Sequence, residues 1–172
     1  LRNMSHRIAF YPCCADDISE SRHLLTGLVD EIIYCDHRRP RSWSSESKQT
    51  EPPAIRLVQG DVKQIIPDLP PIKVFFYRRD SSGEGGSGLY LLGKKWLGEI
   101  LNHFSPEGGL IITDGSNSGG GLFRKMIRPD GYTRKSWEWR FQPTPEQKWL
   151  ESHGLHSIEV TRIAQQSDGE LP

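Results

Sequence analysis

Neither sign of charge predominates in this chain: 22 Lys and Arg face 22 Asp and Glu in 172 residues. No overall field draws in nucleic acid or an anionic membrane, so a nucleic-acid partner is not expected. Apolar runs long enough to span a bilayer are missing, which argues against a membrane partner. Cysteine is scarce. Cys13, Cys14 and Cys35, two of them adjacent, make no disulfide framework, and a reducing, cytoplasmic setting is the simpler reading. The first ten residues are polar and basic and show no signal-peptide pattern. The histidines show no metal spacing: His153 and His156 stand three apart but flank Gly154 at a helix end. Cys14 is followed six residues later by Glu20, not by the Arg of a C-x5-R phosphatase loop, and no G-x-S-x-G elbow occurs. Repeats are absent as well, so residues 1–172 read as a single domain, long enough to bury a sizeable core.

What is present is an alternation of strand and helix patterns. Strands are expected at Arg7–Tyr11, Glu31–Cys35, Ala54–Val58, Lys73–Tyr77 and Gly109–Thr113. Helices are expected at Asp17–Leu28, with Asp17 as N-cap and Glu20 completing a capping box, and in a short turn over Val62–Leu69. The strongest helical pattern is Leu89–Phe104, whose Leu89, Leu92, Trp96, Ile100 and Phe104 share a face. Residues 37–53 lack a hydrophobic period and read as a mobile surface loop with one aromatic, Trp43, and a basic cluster at Arg38, Arg39 and Arg41. Ser136–Phe141 and Ser157–Ile163 read as two closing strands around a helix at Pro145–His153. This order implies an α/β fold: a three-layer, mostly parallel sheet with helices on both faces, right-handed crossovers and an antiparallel C-terminal edge.

Open parallel sheets bind ligands at the carboxyl ends of their strands. Those ends carry Tyr11-Pro12-Cys13-Cys14-Ala15-Asp16-Asp17, Asp36, Gly60-Asp61, Tyr77-Arg78-Arg79-Asp80 and Asp114-Gly115-Ser116-Asn117. The order of elements from about Arg7 to Ile163, with these ends, resembles the class I S-adenosylmethionine-dependent methyltransferase fold. The first loop, "YPC..DD", resembles an uncharacterised methyltransferase-like branch of it. The resemblance implies Asp36 at the ribose hydroxyls, Asp61 near the adenine amino group, and a catalytic or substrate-contacting loop in "YRRDSSGEGGSG". It implies cofactor contacts from Tyr11, Pro12, Cys13, Asp16, Asp36, Asp61 and Tyr77. Asp80 or Tyr77 would orient a substrate or accept a proton, and Arg78 or Arg79 would hold an anionic group. The family's first loop is glycine-rich; here Pro12-Cys13-Cys14-Ala15 stands in its place.

Asp16 and Asp17 in that loop repel phosphate, whereas S-adenosylmethionine carries a sulfonium and an ammonium and no phosphate. A thiol near a helix N-terminus can have a lowered pKa, which the same two carboxylates oppose. Gly83, Gly85 and Gly88 spell G-x-G-x-x-G, and Gly88–Lys94 spells G-x-x-x-x-G-K. Arg78–Ser82 separate the first pattern from its strand, and Lys95 replaces the Ser or Thr that the second requires. The stretch Gly83–Gly88 is therefore expected to be a flexible lid. Three functions remain open: a methyltransferase using S-adenosylmethionine, a non-catalytic interaction domain with a degenerate cofactor site, and a nucleotide-dependent enzyme. The missing glycines favour the second. With no separate substrate-recognition region, the substrate is an unspecified small molecule or protein, and a partner or oligomer could complete the site.

Overall fold

Runs of β-branched and aromatic residues form the centre of the sheet. The structure is a computed structural model and describes residues 6–80, 87–118, 124, 132–134, 137–140 and 145–162. In chain order the elements are β1 (Ile8–Pro12), α1 (Ser19–Leu25), β2 (Glu31–Asp36), α2 (Trp43–Glu46), β3 (Ala54–Gln59) and α3 (Val62–Ile65). After a 3-10 turn come β4 (Val74–Tyr77), α4 (Lys94–Leu101), β5 (Gly109–Thr113), β6 (Tyr132–Arg134), β7 (Trp137–Arg140), α5 (Pro145–Ser152) and β8 (His156–Arg162).

The eight strands form one sheet in the order β3-β2-β1-β4-β5-β8-β7-β6. Pairing is parallel from β3 through β5 and antiparallel from β5 through β8 and β7 to β6. The fold is therefore α/β with a mostly parallel centre and antiparallel end strands. The expected antiparallel edge is present but arranged differently. The last strand in sequence, β8, lies inside the sheet between β5 and β7, and β6, which the sequence pattern does not announce, forms the edge.

Alternation along the strands sends side chains to two cores. Phe10, Ile33, Phe75, Tyr77 and Ile111 pack with Leu97, Ile100 and Leu101 of α4. Ala9, Tyr11, Ile32, Tyr34, Val74 and Phe76 pack with Leu24 and Leu25 of α1, Trp43 and Leu150 of α5. Helices thus cover both faces.

Three expectations change. The helix read over Leu89–Phe104 is formed only from Lys94, because Tyr90 has φ 51° and the chain turns at Gly93. A Cβ on Gly93 would lie 2.7 Å from the Tyr90 carbonyl oxygen, so the turn leaves no room for a side chain. Asp17 does not cap α1: Ile18 holds the N-cap position with no side-chain bond, and α1 is correspondingly short. The segment 37–53 contains α2, and Trp43 is 1% exposed, its ring inside the second core.

Candidate functional site at the strand ends

Register fixes which residues meet. Pro12 pairs with Cys35, Asp36 with Gln59, and Tyr77 with Thr113, so the carboxyl ends of the five parallel strands share one edge of the sheet. The order reverses between β1 and β4, and such a switch point opens a crevice. Two clefts lie along this edge. One, of about 290 Å³, is bounded by Cys13, Cys35, Asp36, His37, Asp61 and Ser87. The other, of about 480 Å³, lies at the switch point and is bounded by Tyr11, Cys13, Asp16, Glu20, Arg78 and Arg79. Cys13 borders both.

The first loop turns sharply without glycine. Cys13 has φ 57° and Ala15 has φ 48°, both left-handed. A non-glycine residue there costs about 1–2 kcal/mol. Two bonds tie the turn to β2: Cys14 N–H to the Cys35 carbonyl at 3.2 Å, and Ala15 N–H to Asp36 Oδ2 at 2.9 Å. The other Asp36 oxygen accepts Arg38 N–H at 3.1 Å and lies 3.4 Å from His37 Nδ1. Asp36 is thus pinned with its side chain 13% exposed. Across the cleft, Asp61 caps α3 by accepting Lys63 N–H at 2.9 Å. Asp16 accepts Ser42 N–H at 3.1 Å and Ser42 Oγ–H at 2.7 Å, fastening 37–53 to the first loop. The two Ser42 bonds hold its carboxyl below the usual range.

The switch-point cleft has an ionic floor. Arg78 grips Asp17 with two bonds, Nε–Oδ2 at 2.7 Å and Nη2–Oδ1 at 2.9 Å, and Tyr11 donates to the same Oδ2 at 2.7 Å. Both charges are buried, with side chains 2% and 8% exposed. Burial works against the Arg78 charge, and the Asp17 bonds more than offset it and raise its pKa. Burial, then the Asp17 charge, pushes the Tyr11 phenol up. The task of Asp17 is therefore to join α1 to the end of β4. Arg79 is left-handed at φ 63°, with its N–H 3.1 Å from Asp114 Oδ2 and its exposed guanidinium 3.2 Å from Glu20.

Tyr77 and Asp80 are buried and reach the smaller cleft through Ser87. Tyr77 donates its hydroxyl to Asp80 Oδ2. Ser87 donates its N–H to Oδ1 at 2.8 Å and its hydroxyl to Oδ2. Asn117 Nδ2 stands 3.1 Å from Tyr77 Oη, Asp80 Oδ2 and Ser87 Oγ. Burial first, then the bond to Asp80, pushes the Tyr77 phenol up.

Sequence-expected residues thus divide. Cys13, Asp36 and Asp61 line the smaller cleft, and Tyr11, Cys13, Asp16, Arg78 and Arg79 the larger. Pro12 is buried within β1. Glu20 reads from sequence only as part of a helix capping box, and Ser87 only as one member of the loop after β4. Asn117 was legible only as one polar residue at a strand end. Gly83 and Gly85, with most of the expected lid, lie outside the described residues.

The thiols are free and poorly suited to nucleophilic work. Burial first, then the Asp80 charge for Cys13 and the Asp36 charge for Cys14, pushes both up. Cys35 is pushed up to about 12, again mainly by burial. Among the described residues no cluster of three His, Cys, Asp or Glu is placed to hold a metal ion, and no helix is long and apolar enough to cross a membrane. No protein-family model matches the chain, and no curated protein matches it.

Proposed function

We propose that the strand-end clefts bind S-adenosylmethionine and that the chain is a methyltransferase-like domain acting on a small-molecule or protein substrate. The observation that carries this reading is the Asp36 carboxylate, pinned at the end of β2 on the wall of a cleft that Asp61 borders from beyond β3. Each Asp36 oxygen accepts one backbone N–H and keeps a further lone pair. That is the acceptor set that two free ribose hydroxyls, as donors, require.

The first loop supports the fit in backbone and in charge. Left-handed Cys13 and Ala15, two residues apart, give the chain a turn of the kind a glycine-rich loop supplies. The larger cleft is lined by Asp16, Asp17 and Glu20 against Arg78 and Arg79, a net acidic balance that favours a cationic group over a phosphate. When bound, S-adenosylmethionine supplies a methyl group on a positively charged sulfur. This chain's part is to hold and orient: Asp36 at the ribose, Asp61 at the base, and Glu20 with Arg79 at groups of opposite charge. Alignment of donor and acceptor is the main requirement of such a transfer, so few proton-moving groups are needed. Asp80 stands one hydrogen bond behind the cleft wall and Tyr77 one further back, and both serve it by positioning.

A second reading, an interaction domain without cofactor, is favoured by Cys13. It borders both clefts, where the resemblance calls for glycine. Thermal melting separates the two. S-adenosylhomocysteine raises the melting temperature by mass action under the first reading. Under the second it has no effect at millimolar concentration. A rise with ATP or NAD alone supports the nucleotide-dependent alternative.

A further inference from the structure

Ser87 is a junction. Its hydroxyl meets Asp80 and Asn117, its N–H meets Asp80 at 2.8 Å, and it borders the smaller cleft together with Cys13. Asn117 lies beyond β5, yet its amide is the piece that ties Tyr77, Asp80 and Ser87 together. The orientation of that amide is dictated by charge: turned over, Oδ1 would face the Asp80 carboxylate. The orientation leaves Asn117 Oδ1 buried without a hydrogen-bond partner among the described residues, a cost tolerated only if the donor side is needed.

We infer that Asn117 is a positioning residue for the smaller cleft: its amide holds Ser87 in the cleft wall, which Ser87 shares with Cys13. The inference rests on the proposed function only for the identity of the ligand. A rival account is that Asn117 serves its own backbone, since it is left-handed at φ 50° and asparagine tolerates that region.

Asn117→Gly separates the accounts, because glycine keeps the backbone and removes the amide. The first readout needs no ligand: the rate at which a maleimide modifies Cys13, located by peptide mass spectrometry. Modification proceeds through local opening of the wall, where the thiol meets solvent, so Asn117→Gly and Ser87→Ala are each expected to speed it about tenfold, the factor for losing one or two of the hydrogen bonds that close the wall. Their combination should be no faster than either alone, because they act in one chain. Asn117→Asp should be faster than Asn117→Gly, since it sets a carboxylate against Asp80. A wild-type rate in Asn117→Gly, or a milder effect of Asn117→Asp, overturns the inference. The second readout is titration with S-adenosylhomocysteine. If the wild-type chain binds it, Asn117→Gly should weaken binding about tenfold, and unchanged affinity also overturns the inference. If the wild-type chain does not bind it, the proposed function fails, and the Cys13 rates still decide the role of Asn117.

Discussion

Ala15, which borders the larger cleft, and Asp36, which borders the smaller, are joined by a backbone N–H to carboxylate bond of 2.9 Å. The bond links a left-handed turn after β1 to the acidic end of β2. It makes the shape of the first loop depend on a side chain 21 residues away, and that dependence can be tested from either side.

From the loop side, Ala15→Gly should raise stability. Removing the Cβ relieves about 1–2 kcal/mol of left-handed strain, while the added freedom of the unfolded chain returns about 0.4–1 kcal/mol. A net gain of about 0.5–1 kcal/mol in denaturant unfolding is expected. A loss of similar size would mean that the turn is not left-handed at Ala15.

The buried pair beneath the larger cleft should behave oppositely. Asp17→Ala strands Arg78, and removing one partner of a buried pair costs about 3–5 kcal/mol. Asp17→Ala with Arg78→Met should cost clearly less than the two single substitutions added together. Strict additivity in unfolding experiments would mean that the two side chains do not interact.

Trp43→Ala should cost about 3–5 kcal/mol, as for other fully buried tryptophans. Trp43→Phe should cost much less, because the Trp43 Nε1 is buried without a hydrogen-bond partner among the described residues and its removal relieves that penalty. Amide exchange over 37–53 should accelerate in Trp43→Ala. Unchanged exchange would show that the ring does not anchor the segment.

These positions mark where the sequence is legible and where it is not. The parallel strands can be read because each is a short apolar run of residues that suit a pleated, doubly covered surface. Asp36 and Asp61 can be read as strand-end acids for the same reason. Asp17 misleads: locally it has the pattern of a helix cap, but its partner Arg78 is 61 residues away, and an ion pair of that separation leaves no periodic trace. Leu89 and Leu92 continue the periodicity of α4, yet Tyr90 and Gly93 break the backbone first. Trp43 is a lone aromatic in a polar run, with no pattern to announce its burial. Asn117 falls in a Gly/Ser-rich stretch, and only the approach of Tyr77, Asp80 and Ser87 gives it a role.

Alkaline stability tests the burial of Cys35. Its ordinary value of 9.0 is raised to about 12 by burial first, and then by the Asp36 and Asp61 charges. A folded pKa above the unfolded one means that the folded state keeps its proton longer. The stabilisation is complete below pH 9 and is lost as pH rises from 9 to about 12. Cys35→Ala should make the fall of unfolding free energy in that window shallower by up to about 1.4 kcal/mol per pH unit, the equivalent of one proton. An identical slope would place the thiol in contact with water.

Calorimetric titration of S-adenosylhomocysteine into the wild-type chain and Asp36→Ala tests the central claim most directly. Two charge-assisted hydrogen bonds to a ribose, partly replaced by water, are worth about 2–3 kcal/mol together, so affinity should fall about thirtyfold or more. ATP and NAD should bind neither form, and circular dichroism should find Asp36→Ala still folded. Binding of S-adenosylhomocysteine that survives Asp36→Ala unchanged, or no heat from the wild-type chain at millimolar ligand, would contradict the account.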